Sequence, residues 1–240
     1  MPLVAAMASA GALRAFSAKH ALPLTLEQGI RTRARQSLTM RIVPWMQPLF
    51  RDRAAAGREL AEALTGRGGV VVGVARGGVA VAAEVARELE LPLTAVDVER
   101  VNAHGRRLGA TTAHGPPYLL VPEPAVEDFL ARARRDAERL ESRLEHETLP
   151  VEGLEALLVD DGAVTGLTLA AACLWARAEG ASHVVAAVPV AHVDSLDRLA
   201  NAADEVVCPH PLEEIAVVGQ AYDSFDPLDE WYVASLLAEG

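Results

Sequence analysis

The chain predicts an α/β domain built on a mostly parallel sheet flanked by helices on both faces. Three observations carry this. Short apolar runs alternate with helical stretches from residue 70 onward. Val70-Val71-Val72-Gly73-Val74, Ala156-Leu157-Leu158-Val159 and Val184 to Val188 are apolar at successive positions, the mark of strands buried on both faces. With 240 residues, 51% of them apolar, the chain has enough material for one such domain and an appendage.

Residues 1–49 stand apart. They show little periodicity and hold Arg14, Lys19, Arg31, Arg33, Arg35 and Arg41 against Glu27, a net of +5. The whole chain is −11, so residues 50–240 carry −16. The basic segment reads as an N-terminal extension: a tail, a transit-like or anchoring peptide, or sequence upstream of a start at Met40 or Met46. The acidic body argues against general nucleic-acid binding, which needs basic surface. No apolar run reaches the roughly 18 residues of a membrane span. Cys173 and Cys208 share no metal or redox spacing, which suits a reducing, cytoplasmic setting, and the seven histidines form no metal spacing either.

From residue 50 the elements follow in order. Phe50, Leu60, Ala61 and Leu64 share a helical face that ends at Gly66. Gly68-Gly69 precedes the strand at 70–74, Ala75-Arg76-Gly77-Gly78 is a turn, and Val79 to Leu89 is a helix with Val81, Val85 and Leu89 in register. Leu93 to Val98 is a second strand. Residues 99–117, with Arg100, His104, Gly105, Arg106, Arg107 and His114, form a long polar connection of the kind that is functional or mobile. Tyr118 to Val121 is a short strand. Val126, Phe129, Leu130, Ala133, Ala137, Leu140 and Leu144 stripe a long helix over 124–147, which covers the sheet or, alternatively, seams a homodimer. A helix from Leu169 to Ala178, a strand at 184–188, a helix through Val193, Leu196 and Leu199, a strand at 205–208 and a closing helix near 228–237 complete the domain.

The chemistry concentrates at 156–168. An apolar run stops at Asp160-Asp161, then Gly162-Ala163-Val164-Thr165-Gly166-Leu167-Thr168 leads into a helix. A strand end, a glycine-bearing loop and a helix N-terminus together cradle a phosphate, because unpaired amides and the helix dipole point into the loop. The aspartates add acceptors for hydroxyls or a metal ion beside it, so a phosphorylated sugar fits. Asp-Asp alone after a strand is usually a solvated turn, and Arg76 alone reads equally well as a surface residue. Their combination with Thr-Gly-Leu-Thr and the upstream Arg-Gly-Gly turn is what separates a site from those readings. Tyr222 and Phe225 read as packing residues.

Asp160-Asp161, three residues, Thr165-Gly166, one residue and Thr168 after four apolar positions resembles the phosphoribosyl pyrophosphate (PRPP) loop of type I phosphoribosyltransferases. Phe50-Arg51-Asp52-Arg53, Gly73-Val74-Ala75-Arg76-Gly77-Gly78 and Ala216-Val217-Val218-Gly219-Gln220-Ala221-Tyr222 resemble a little-characterised branch of that family, so the likeness spans about residues 50–240. The resemblance implies the type I fold with a small peripheral hood. It implies that Asp160 and Asp161 accept hydrogen bonds from the ribose hydroxyls and stabilise positive charge on the sugar ring. It also implies that the amides of residues 162–166, with Thr165 and Thr168, hold the 5′-phosphate. Ala75, Arg76, Gly77 and Gly78 would receive the pyrophosphate, Arg100 would act as a catalytic cation, and Mg²⁺ would be bound mainly through PRPP and water rather than by a protein cage. The partners implied are PRPP and a small-molecule acceptor.

Two positions depart from the branch. Ala75 stands where relatives have Pro. Glu99-Arg100-Val101-Asn102, followed by Ala103 to Gly109, stands where the branch has a basic pair, often Arg-Lys, and a Gly-Asn-Pro-Glu-like segment. Arginine replaces a lysine's charge but not its compact geometry. Two alternatives to transfer chemistry therefore stand: a non-catalytic PRPP- or nucleotide-binding regulator, and a metal-dependent phosphosugar or nucleotide hydrolase.

Overall fold

Parallel strands need crossovers, and here each crossover contains one of the predicted helices. A computed structural model describes residues 47–74, 76–144 and 149–239. The readings of the basic segment through Met46, of Ala75 and of the helix end at 145–147 lie outside the described residues. Strands β1 (Val70–Val74), β2 (Leu93–Val96) and three more described below make the central sheet, with helices α1 (Arg53–Ala63) and α2 (Gly77–Leu89) on one face.

A peripheral hairpin comes next in the chain. The stretch 99–117 is not the long irregular connection expected from its polarity. It contains β3 (Glu99–Ala103) and β4 (Arg106–Thr111), an antiparallel hairpin that β5 (Tyr118–Leu119) extends to three strands. The turn is made by His104 and Gly105, both at positive φ (51° and 75°), the conformation that a tight hairpin requires. Its polarity misled because one side faces solvent while Val101, Ala103 and Ala110 are buried.

The amphipathic helix α3 (Glu127–Leu144) packs on this hairpin and not on the central sheet: Val126, Leu130 and Ala133 enclose Val101 with Leu108, Leu119 and Phe129 around them.

The second half repeats the strand–helix alternation: β6 (Glu155–Val159), α4 (Leu167–Ala178), β7 (His183–Ala187), β8 (Val190–His192), α5 (Val193–Ala202), β9 (Glu205–Val207), β10 (His210–Leu212) and α6 (Glu230–Glu239). The central sheet is five-stranded and parallel, in the order β2-β1-β6-β7-β9. Side chains alternate cleanly across it. Val70, Val72, Val74, Leu158 and Ala186 face α4 and α5, whereas Val71, Leu157, Val159, Val185 and Ala187 face α1 and α2. Both faces are dry, which is why the strands read as unbroken apolar runs. β8 and β10 form a separate parallel pair, and α6 lays Val233 against Val79 and Ala95.

Phe50 does not share the face of α1. It precedes the helix, bridges Tyr222 in parallel fashion and is 3% exposed. Asp52 caps α1 by accepting from the Ala55 amide at 2.8 Å, so the helix cannot extend back to Phe50.

Candidate active site

Chain order reverses between β1 and β6: β2 lies to one side of β1, whereas β6, β7 and β9 follow in sequence on the other. At such a switch point the connections leave in opposite directions and open a crevice at the strands' C-terminal ends. The residues read as functional from the sequence are gathered there.

Two helix N-termini converge on the crevice. α2 begins at Gly77, so Gly77 and Gly78 are first-turn residues rather than loop. α4 begins at Leu167, two residues earlier than expected, because Gly166 in the left-handed region (φ 67°) ends the loop abruptly. Thr168 is accordingly in the first turn. Neither helix has a side-chain cap, in contrast to α1, which Asp52 caps, and α5, where the His192 ring accepts from the Asp194 amide at 3.1 Å. Uncapped first turns carry unpaired amides and the positive end of the dipole, so both point anion-binding groups at one place.

Asp160 and Asp161 lie between them. A Cβ on Gly78 would stand 2.6 Å from the Val159 carbonyl and 2.9 Å from Asp160 Cα, and one on Gly77 would overlap Asp161 Oδ2. Only glycine permits this approach of the two turns. Burial pushes the Asp160 carboxyl well above the usual range and repulsion from Asp161 adds to it; the Asp161 amide donates to Asp160 Oδ1 at 2.9 Å. Burial also raises Asp161, while Arg53 and Arg100 pull it back down.

Arg53 was not among the residues picked from the sequence. Its Nε donates to Asp161 Oδ2 at 3.0 Å, with the two side chains 12% and 13% exposed. Its guanidinium also donates to the Asp226 carbonyl at 3.0 Å and lies 3.8 Å over the Phe225 ring. Tyr222 packs as expected, 4% exposed, yet its hydroxyl also donates to the Asp161 carbonyl at 2.5 Å. The C-terminal segment therefore clamps one of the two aspartates. The only sequence signal was Phe50-Arg51-Asp52-Arg53, whose cap places Arg53 at the first position of α1.

The loop between Asp161 and α4 is braced from β8 and α5. The Ala163 amide donates to the Val190 carbonyl at 3.0 Å and the Ala163 carbonyl accepts from His192, so this amide is not available to a ligand. Arg198 donates to the Thr165 carbonyl, Ser195 to that of Ala163, and Arg107 Nη1 approaches the Thr165 hydroxyl at 3.4 Å. Arg107, on β4, was also missed; burial and the neighbouring Arg100 lower its pKa.

Arg76, Asp97, Glu99, Arg100, Leu140 and Thr168 line a cleft of about 210 Å³, and Arg100 also acts on the charge of Asp160 and Asp161. Arg76 is exposed and stands 3.8 Å from Glu230 of α6, and Arg100 is exposed on β3. The structure thus brings Arg76, Arg100 and Thr168 together. Ala75 lies outside the described residues.

These features define a class: an α/β protein whose switch-point crevice offers two helix N-termini and paired carboxylates to an anionic ligand that also bears hydroxyls. The phosphoribosyl transferase domain model matches residues 49–224, and the chain belongs to that family. A protein of two Mycobacterium tuberculosis strains named "Putative phosphoribosyl transferase" is 39% identical over 207 residues, covering 79% of this chain and 46% of that protein. The chain spans about half the length of these curated relatives. The crystal structure of TT1426 from Thermus thermophilus is similar at 37% identity and a TM-score of 0.70, over 79% of this chain and 98% of that one. The fold expected from the resemblance, a mostly parallel sheet flanked by helices, is the fold observed.

Proposed function

We propose that this chain transfers a 5-phosphoribosyl group from PRPP to a small nucleophile, with loss of pyrophosphate. The observation that carries the proposal is the convergence of two uncapped helix N-termini on Asp160 and Asp161 at the switch point. One ligand charged at both ends and carrying hydroxyls between them satisfies all three features.

In this reading the amides at the start of α4, with Thr165 and Thr168, take the 5′-phosphate. The first turn of α2, with Arg76 and Arg100, takes the pyrophosphate. Asp160 and Asp161 accept from the 2′- and 3′-hydroxyls and face the sugar carbon as its bond to pyrophosphate lengthens. Asp161 already has Arg53 as its counter-charge, whereas Asp160 is pushed up by burial and by Asp161, and developing positive charge on the ring would favour its ionised form. Mg²⁺ fits the same donor set. Among the described residues no group of three or more His, Cys, Asp or Glu side chains could hold a metal. Asp160 and Asp161 would hold the cation through its waters when it is bound with PRPP, and it would supply positive charge beside the pyrophosphate. A cytoplasmic setting goes with this reading.

Isothermal titration with Mg²⁺–PRPP tests it. Saturable binding is expected for the native chain and its loss for the Asp160→Asn/Asp161→Asn variant; no binding, or equal binding by both, defeats the proposal. The hairpin at 99–111, where the related branch has a different segment, favours one second reading: a PRPP- or nucleotide-binding regulator without turnover. Pyrophosphate release with any base or amine in a panel excludes that alternative.

A further inference from the structure

Asp97 follows the last residue of β2 and has no use in the reading above. It is 1% exposed, and both carboxyl oxygens are covered by protein without a hydrogen-bond partner. A buried carboxylate left in this state is rare, since ionised it forfeits its hydration and gains nothing in exchange. Yet the residue does not sit in an inert part of the core. It lines the cleft that Arg76, Arg100 and Thr168 also line, with Leu140 of α3 as the apolar wall.

The groups around it explain what form it takes. Burial is the largest influence, and Glu141 from α3, Glu99 from β3 and Glu230 from α6 all disfavour a further negative charge; Arg76 opposes them. The result is a carboxyl pushed up to about 7. Arg76 and Arg100 line the cleft together with Glu99, so an anion held there relies on the two arginines and gains from any neutral donor beside them. An ionised Asp97 would repel that anion, whereas a protonated one is the only form of the residue that can donate to it. The anion and the proton are then bound together.

We propose that the Asp97 carboxyl is the proton donor to the phosphate-type anion held in this cleft, and that it protonates pyrophosphate as it leaves. The inference rests on the proposed transfer reaction. In the step, the bond between C1′ of the ribose and the pyrophosphate oxygen breaks and its electron pair stays on that oxygen. The same oxygen takes the Asp97 proton. The nucleophile forms its bond to C1′ and gives up its own proton to solvent, from which Asp97 is reprotonated. Without such a donor the arginines and the ligand's own cation carry all of the leaving group's charge.

Inorganic pyrophosphate is the probe, titrated calorimetrically at pH 7 in two buffers of different ionisation heat. The native chain is expected to take up about half a proton more than Asp97→Asn, because a group with a pKa near 7 is half ionised there and becomes fully protonated on binding. The native affinity relative to Asp97→Asn falls about tenfold between pH 6 and pH 8, since the asparagine amide donates at every pH. Asp97→Leu, which removes the donor, binds about tenfold more weakly than the native chain at pH 6. Thermal melts check that both variants fold. Equal proton uptake and a constant affinity ratio overturn the inference and leave the transfer reading intact. Proton release on adding Mg²⁺ alone, abolished in Asp97→Asn, also overturns it, because Asp97 would then be a cation ligand. Failure of the native chain to bind pyrophosphate at all overturns the transfer reading and the inference with it.

Discussion

Replacing Arg53 by Met keeps the aliphatic stem and removes the charge that faces Asp161. The ion pair is nearly enclosed, with the side chains 12% and 13% exposed and Nε to Oδ2 at 3.0 Å. Removing one partner of a buried pair typically costs about 3–5 kcal/mol, because the remaining charge has neither water nor a counter-ion. The loss of the 3.8 Å contact with Phe225 adds about 1 kcal/mol. Asp161 has an escape: already raised by burial, it can take a proton. The penalty should therefore be largest at pH 8 and smaller at pH 5.5. In an Asp161→Asn background the charge is gone, and Arg53→Met should cost only about 1–2 kcal/mol, from lost packing and the bond to the Asp226 carbonyl. The double-mutant cycle, read by urea unfolding at pH 8, should give a coupling of about 3–4 kcal/mol. A coupling below about 0.5 kcal/mol would refute the assignment of Arg53 as the charge that holds Asp161.

Two further outcomes follow from the same geometry. Gly78→Ala puts a methyl 2.6 Å from the Val159 carbonyl, inside the approach that brings α2 to Asp160. It should destabilise the fold by about 1–3 kcal/mol and abolish Mg²⁺–PRPP binding even where the variant is folded, as titration checks. Asp97→Asn changes how stability depends on pH. Folded Asp97 keeps its proton up to about pH 7 whereas the unfolded residue releases it near 3.8, so raising the pH through this window favours unfolding of the native chain. Relative to Asp97→Asn, the native chain should lose about 3 kcal/mol between pH 4.5 and pH 8, measured by urea denaturation at each pH. Parallel pH profiles would contradict it.

The legible parts of this protein were those encoded locally. Val70–Val74 and Glu155–Val159 announce buried strands by apolar runs, because both faces of the sheet are covered. Asp160, Asp161, Gly166 and Thr168 are found by their spacing, because one strand–loop–helix unit holds all four. Periodicity succeeded for α3 but assigned it the wrong surface: a stripe such as Val126, Leu130 and Ala133 says that a partner exists without saying which sheet provides it. The hairpin at 99–111 was hidden because its buried positions, Val101, Ala103, Gly109, Ala110 and Thr111, include few large apolar residues, while its polar side resembles any exposed connection.

By itself, then, the sequence determined the class of fold, the double-aspartate loop and the Arg-Gly-Gly turn, because each is a short-range pattern of backbone propensity and side-chain chemistry. Only the tertiary structure decided what surrounds them. Arg53 reaches Asp161 across 108 residues, and Arg107 reaches Thr165 across 58. Asp97 acquires its character from burial first and then from Glu141, Glu99 and Glu230, which belong to three different elements. Electrostatic fields and burial are sums over neighbours in space. No spacing along the chain records them.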